Sequence, residues 1–144
     1  MMNNKIQPQS LISTLWVFVL FNMLLRDLHE FPTEGYVEKM MSLHLSEETM
    51  LFYAFIVEIP ISMVLLSRIL NNKANKWANI IAVIISSLGI LYTFPTGHLD
   101  EYFFAIANAV AFVVIILTVR SLPIQEDTPN EVVWESETHS LRRV

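Results

Sequence analysis

The chain of 144 residues contains no cysteine. That excludes disulfide staples, thiolate metal sites and any thiol–disulfide chemistry carried by the chain itself. Charge is scarce as well: 16% of residues are Asp, Glu, Lys or Arg, where a soluble domain carries about a quarter. The formal net charge is −5 and no basic block stands out, so there is no electrostatic footprint for nucleic acid. There are only three glycines, and none sits in a phosphate-cradling loop. A nucleophile elbow, a zinc-protease helix and paired catalytic carboxylates at helical spacing are all missing. Nothing in the sequence calls for a cofactor.

What fills the space is apolar. Hydrophobic residues make up 53% of the chain and the mean hydropathy is +0.47. Four runs approach the ~20 residues that a bilayer-crossing helix needs: residues 10–28, 49–67, 77–94 and 101–119. The expected fold is all-α, a polytopic membrane protein with four transmembrane helices in an antiparallel bundle over residues 1–120. Residues 121–144 are polar and mostly acidic, and are expected to form a flexible tail. The first run has a signal peptide as its rival reading, but Arg26-Asp27-Leu28-His29-Glu30 follows it where a small-residue cleavage site would stand. It reads as an uncleaved first helix.

Lys5, Arg68, Lys73, Lys76 and Arg120 collect on one side of the four runs, with Arg142 and Arg143 of the tail. Arg26 and Lys39 are the only cations on the other. The positive-inside rule then puts both termini in the cytoplasm. The segment between the first two runs is acidic. Thr33 is a candidate cap for a short helix there, with Tyr36, Val37, Met40, Met41 and His44 on one face. Residues 33–45 read either as an interfacial helix or as an ordinary loop. Ser46-Glu47-Glu48 is a good start signal for the second spanning helix. Arg68 to Lys76 reads as a short basic turn, and Pro95 to Asp100 as a tight one.

Glu58-Ile-Pro-Ile-Ser-Met-Val-Leu-Leu-Ser-Arg68, followed by Ala74-Asn-Lys-Trp-Ala-Asn-Ile80, resembles an uncharacterised bacterial family of small four-helix integral membrane proteins. Ser13-Thr-Leu-Trp16 and Asn22 are similar to the family's opening. In layout alone the chain is similar to DoxX-type four-helix proteins. The resemblance implies a fold and a bacterial membrane, and no catalytic residues.

The most conspicuous group is Glu58, inside an apolar run and followed by Pro60. An ionisable side chain at the centre of a spanning helix costs about 2.5 kcal/mol or more on insertion scales. Projected at helical spacing, each run shows a stripe of small and polar residues expected to face the bundle interior. The stripes are Thr14, Phe18, Asn22 and Arg26; Ala54, Glu58 and Ser62; Asn79, Ala82, Ser86, Gly89 and Thr93; and Ala105, Asn108 and Ala109. At 1.5 Å per residue Asn22, Asn108 and Glu58 lie roughly 9, 10 and 13 Å in from the outer side. They are expected to meet there, with Arg26 reaching down and Tyr92 at the level of Arg26. Glu58 is then either a hydrogen-bonded packing device or a titratable group in a wet cavity. Pro60 is a tolerated kink or a hinge. His29, His44 and His98 with nearby acids lack the spacing of a metal motif. Asn79 reads as an interfacial anchor.

Three functions compete on this basis. The first is a small-ligand binding or transport module around Glu58, Asn22, Asn108, Arg26 and Tyr92. The second is a structural subunit packing against copies of itself or a partner membrane protein. The third is a membrane enzyme with Glu58 as general acid or base.

Overall fold

The computed structural model describes residues 7–92 and 99–123. The expected Pro95 turn and acidic tail, and with them Lys5, Thr93, His98, Arg142 and Arg143, lie outside the described residues. Five helices form: α1 (Pro8–Glu30), α2 (Tyr36–Ser42), α3 (Glu47–Ile69), α4 (Asn72–Tyr92) and α5 (Leu99–Arg120). Among the described residues there is no strand. The four long helices are each long and apolar enough to cross a membrane, so the chain is an all-α, multi-pass membrane protein by architecture.

Local signals explain the helix ends. Pro8 occupies the first turn of α1, where its missing N–H costs nothing. Ser46 caps α3 by accepting a hydrogen bond from the Thr49 N–H at 3.3 Å, with Glu47 and Glu48 in the first turn. Asn71 Oδ1 accepts from the Ala74 N–H at 2.8 Å and opens α4. The third spanning helix therefore starts five residues before the expected 77, and most of the expected basic turn is helical. α2 starts after Gly35, whose φ of +78° is the left-handed conformation that glycine adopts without penalty. Thr33 is not its cap.

The long helices form a ring in which α1 and α4 each pack against α3 and α5. Neighbours run antiparallel: Ser13, early in α1, bonds to Val64, late in α3, and Asn22, late in α1, bonds to Phe104, early in α5. One end of the bundle thus carries the α3–α4 turn, and the other carries α2.

Each helix buries one stripe and shows apolar residues elsewhere. Ile12, Trp16 and Val19 of α1, Met63 of α3, Ala82 of α4, and Ala111, Phe112, Ile115 and Val119 of α5 form the core. Phe21, Leu25, Phe55, Leu65, Leu88, Phe103 and Val113 are exposed around the outside, a belt that only lipid or other membrane helices can cover. The α4 stripe faces inward as expected, with Asn79, Ala82 and Ser86 buried. Two others are rotated. Thr14 and Phe18 face outward and Thr14 bonds to its own helix at Ser10 O, 2.9 Å. On α3 the inner face is Tyr53, Ile56, Pro60, Met63 and Ser67, which leaves Ala54 and Glu58 exposed. Two residues along a helix are a rotation of about 200°, so burying Pro60 turns Glu58 outward. α3 runs through Pro60 without a break.

Candidate functional site

Polar side chains gather at both ends of the bundle interior. At the turn end they close on one another. The Trp16 indole N–H donates across the bundle to Asn79 Oδ1 at 2.7 Å. Asn79 Nδ2 donates to the Asn75 carbonyl at 2.8 Å and to Asn75 Oδ1 at 2.6 Å. Asn75 Nδ2 in turn donates to Ser67 O at 2.9 Å. Alongside, Ser13 Oγ donates to Val64 O at 2.7 Å and accepts from Arg68 Nε at 2.9 Å. Trp16, Ser13, Ser67, Asn75 and Asn79 are all fully buried. With these donors engaged, the cluster stitches α1, α3 and α4 together. Asn79 is thus a core linchpin rather than an interfacial anchor.

At the α2 end the interior opens. A cavity of about 580 Å³ lies among Arg26, Tyr53, Ile90, Tyr92, Glu101, Ala105 and Asn108, with Tyr36, Lys39, Met40 and Leu43 of the α2 segment over its mouth. An adjoining pocket of about 160 Å³ shares Arg26, Tyr53, Ile90 and Tyr92 and continues to Ile56, Pro60, Ser86 and Gly89. Its walls are close: a Cβ on Gly89 would stand 3.0 Å from Ile56 Cγ2. Pro60 has no N–H for the Ile56 carbonyl, so the backbone itself is polar at this wall.

Two atoms set this region apart. Ser86 Oγ and Asn108 Oδ1 are buried without a hydrogen-bond partner, and among the described residues they are the only such side-chain atoms. Ser86 and Asn108 are each 3% exposed, and each lines one of the two joined pockets. A buried polar atom left unpaired costs about 1–3 kcal/mol. Filling the space with a ligand that bonds to them removes that cost.

The rim is charged. Arg26 is forked onto Asp27 Oδ1, with Nε at 3.1 Å and Nη2 at 2.9 Å. His29 Nε2 lies 3.5 Å from Asp100 Oδ2, next to the buried Glu101 at the start of α5. Burial, then the Glu30 and Asp27 carboxylates and a hydrogen bond to Glu30, hold the Tyr36 hydroxyl above the ordinary tyrosine value of 10.0. Tyr36 is therefore a neutral donor in α2, where it joins the lid to α1. Among the described residues no group of three or more His, Asp or Glu is placed to hold a metal ion.

Of the expected site residues, Arg26, Tyr92 and Asn108 come together at the cavity. Asn22 stands beside it: its Nδ2 donates to Phe104 O at 2.8 Å, one turn before Asn108, and ties α1 to α5. Glu58 is elsewhere, exposed in a groove between α3 and α4 on the outside of the bundle. Tyr53, Ser86 and Glu101 were not expected. Tyr53 belongs to the same inward row as Pro60, and Glu101 is the first residue of the run 101–119.

No curated protein sequence matches the chain, and no solved structure does. A family's sequence model does match, over residues 2–128. On that match the chain belongs to the family described as "Family of unknown function (DUF6326)".

Proposed function

We propose that the protein is a membrane-embedded binding module for a small amphipathic molecule, held in the cavity at the α2 end. The observation that carries this is the coincidence of about 580 Å³ of space with two unpaired buried polar atoms. The volume lies within the range of ligand sites, roughly 300–1,000 Å³. Asn108 Oδ1 is an acceptor, so the ligand brings a donor such as a hydroxyl or amine. Tyr53, Tyr92, Ile90 and Ala105 supply apolar and aromatic walls for its body. Asp27, Glu30 and Glu101 outnumber Arg26 and Lys39 around the space, which favours a neutral or cationic molecule over an anion. α2 covers the entrance, so exchange goes with movement of that short helix. The excess of Lys and Arg at the turn end supports an orientation with that end in the cytoplasm and the cavity facing the outer side of a bacterial inner membrane.

The test is to purify the chain in lipid nanodiscs, extract it and identify retained small molecules by mass spectrometry. Wild type is expected to carry a compound at about one per chain, and Ala105→Phe, which fills the cavity, to lose it while folding normally. No enrichment over empty nanodiscs would sink the proposal. A second role, as a structural subunit among other membrane helices, has its own observation in the position of Glu58. An enzymatic role for Glu58 has no geometric support, since it lies outside the cavity.

A further inference from the structure

The outward position of Glu58 carries a separate inference, independent of what the cavity holds. Glu58 lies halfway along α3 (Glu47–Ile69), about 16 Å from either end at 1.5 Å per residue. Its side chain is only a few ångströms long and cannot reach an aqueous surface from there. Among the described residues the cations are Arg26, Lys39, Arg68, Lys73, Lys76 and Arg120, all at or beyond helix ends. None stands at the level of Glu58. Hydrocarbon offers a carboxyl group neither a donor nor an acceptor, so its companion has to come from another membrane helix.

The surroundings fit such a helix. Glu58 sits in a groove of about 420 Å³ with Phe55 and Ser62 of α3 and Ala78, Ile81 and Ile85 of α4. Ala54 is exposed one turn before Glu58, and Ser62 is half-buried one turn after it. Small residues on both sides of the carboxyl let two backbones approach closely.

We propose that the groove is the interface with a second copy of this chain, and that the two Glu58 carboxyls pair with each other across it. Depth selects this occupant. Two copies inserted the same way are related by a two-fold axis along the membrane normal, which sets every residue level with its own counterpart. A carboxyl in its protonated form both donates and accepts, so it is complementary to itself. A different protein would need a polar group at that one depth by coincidence.

The chain has no cysteine, so single cysteines report proximity without background. Ser62→Cys lines the groove, and Val113→Cys is an exposed control on α5 at matched depth. On oxidation in native membranes, Ser62→Cys is expected to form a disulfide-linked species of twice the chain mass, and Val113→Cys to stay monomeric. Adding Glu58→Leu, which suits a lipid-facing site, should keep the helical circular-dichroism signal of the parent and weaken dimerisation roughly tenfold. Glu58→Gln keeps a donor and an acceptor and should remain within about threefold of wild type. A monomer for Ser62→Cys, an undiminished dimer with Glu58→Leu, or a cross-link to a protein of another mass each overturns the proposal.

Discussion

The two ends of the bundle hold similar numbers of polar side chains and use them in opposite ways. At the turn end Trp16, Asn79, Asn75 and Ser67 satisfy one another, with Ser13 and Arg68 alongside. At the α2 end Ser86 and Asn108 keep an unpaired atom each, beside empty volume. The same chemistry, an amide or hydroxyl inside a membrane helix, is structural where the partner is another residue. In the proposed function it is a binding site where the partner is missing. On that proposal the fold separates stability from function along the membrane normal: α1, α3 and α4 are fastened at one end, and the cavity lies at the other, under α2.

The comparison breaks most sharply at Asn79. Asn79→Leu strands the Trp16 N–H and the Asn75 oxygen, and interhelical hydrogen bonds in membranes contribute about 0.6 kcal/mol on average, with stranded buried groups adding more. A loss of about 2 kcal/mol in unfolding free energy is expected, measured by denaturant titration in bicelles. The loss should come without change in ligand affinity, because the cluster is remote from the cavity. Ser13→Ala removes the bond to Val64 O and the acceptor for Arg68 Nε; about 1 kcal/mol is expected in the same assay.

Tyr36 gives the smallest effect. Its raised folded value means that below pH 10 the hydroxyl is neutral whether α2 is docked or not, so stability is flat there. As pH climbs from the ordinary 10.0 toward the higher folded value, ionisation favours the undocked state and stability falls. The thermal midpoint of wild type should begin to drop above pH 10, and that of Tyr36→Phe should lack this component of the decline.

The architecture was legible because hydrophobic run length is a coarse signal that rotation cannot disturb. Helix rotation is a finer one. Glu58 was expected inside because polar groups prefer the interior, yet Pro60 lies about 200° away on the same helix and only one of them can be buried. The row Tyr53, Ile56, Pro60, Met63, Ser67 has the three-four spacing of a packed face, and Ser67 meets Asn75 across it. Asn79 was misjudged through its helix boundary. With the helix starting at Asn72, Asn79 is about two turns in, level with Trp16 of α1, and Asn71 as a cap was the cue. The stripe through Asn79, Ala82 and Ser86 was legible, whereas the depth count that set Asn108 level with Asn22 and Glu58 carried no information on which way Glu58 points. The α2 lid was only half legible, because a helix from Tyr36 to Ser42 is too short to declare itself by periodicity.

The most direct test of the contrast is Asn108→Leu, assayed for both unfolding free energy and bound compound. Because Asn108 Oδ1 has no partner, removing it should leave stability within about 0.5 kcal/mol of wild type or raise it, while the retained compound disappears. A loss as large as that of Asn79→Leu would show Asn108 to be part of the structural framework, and would contradict the assignment of the α2 end as the site.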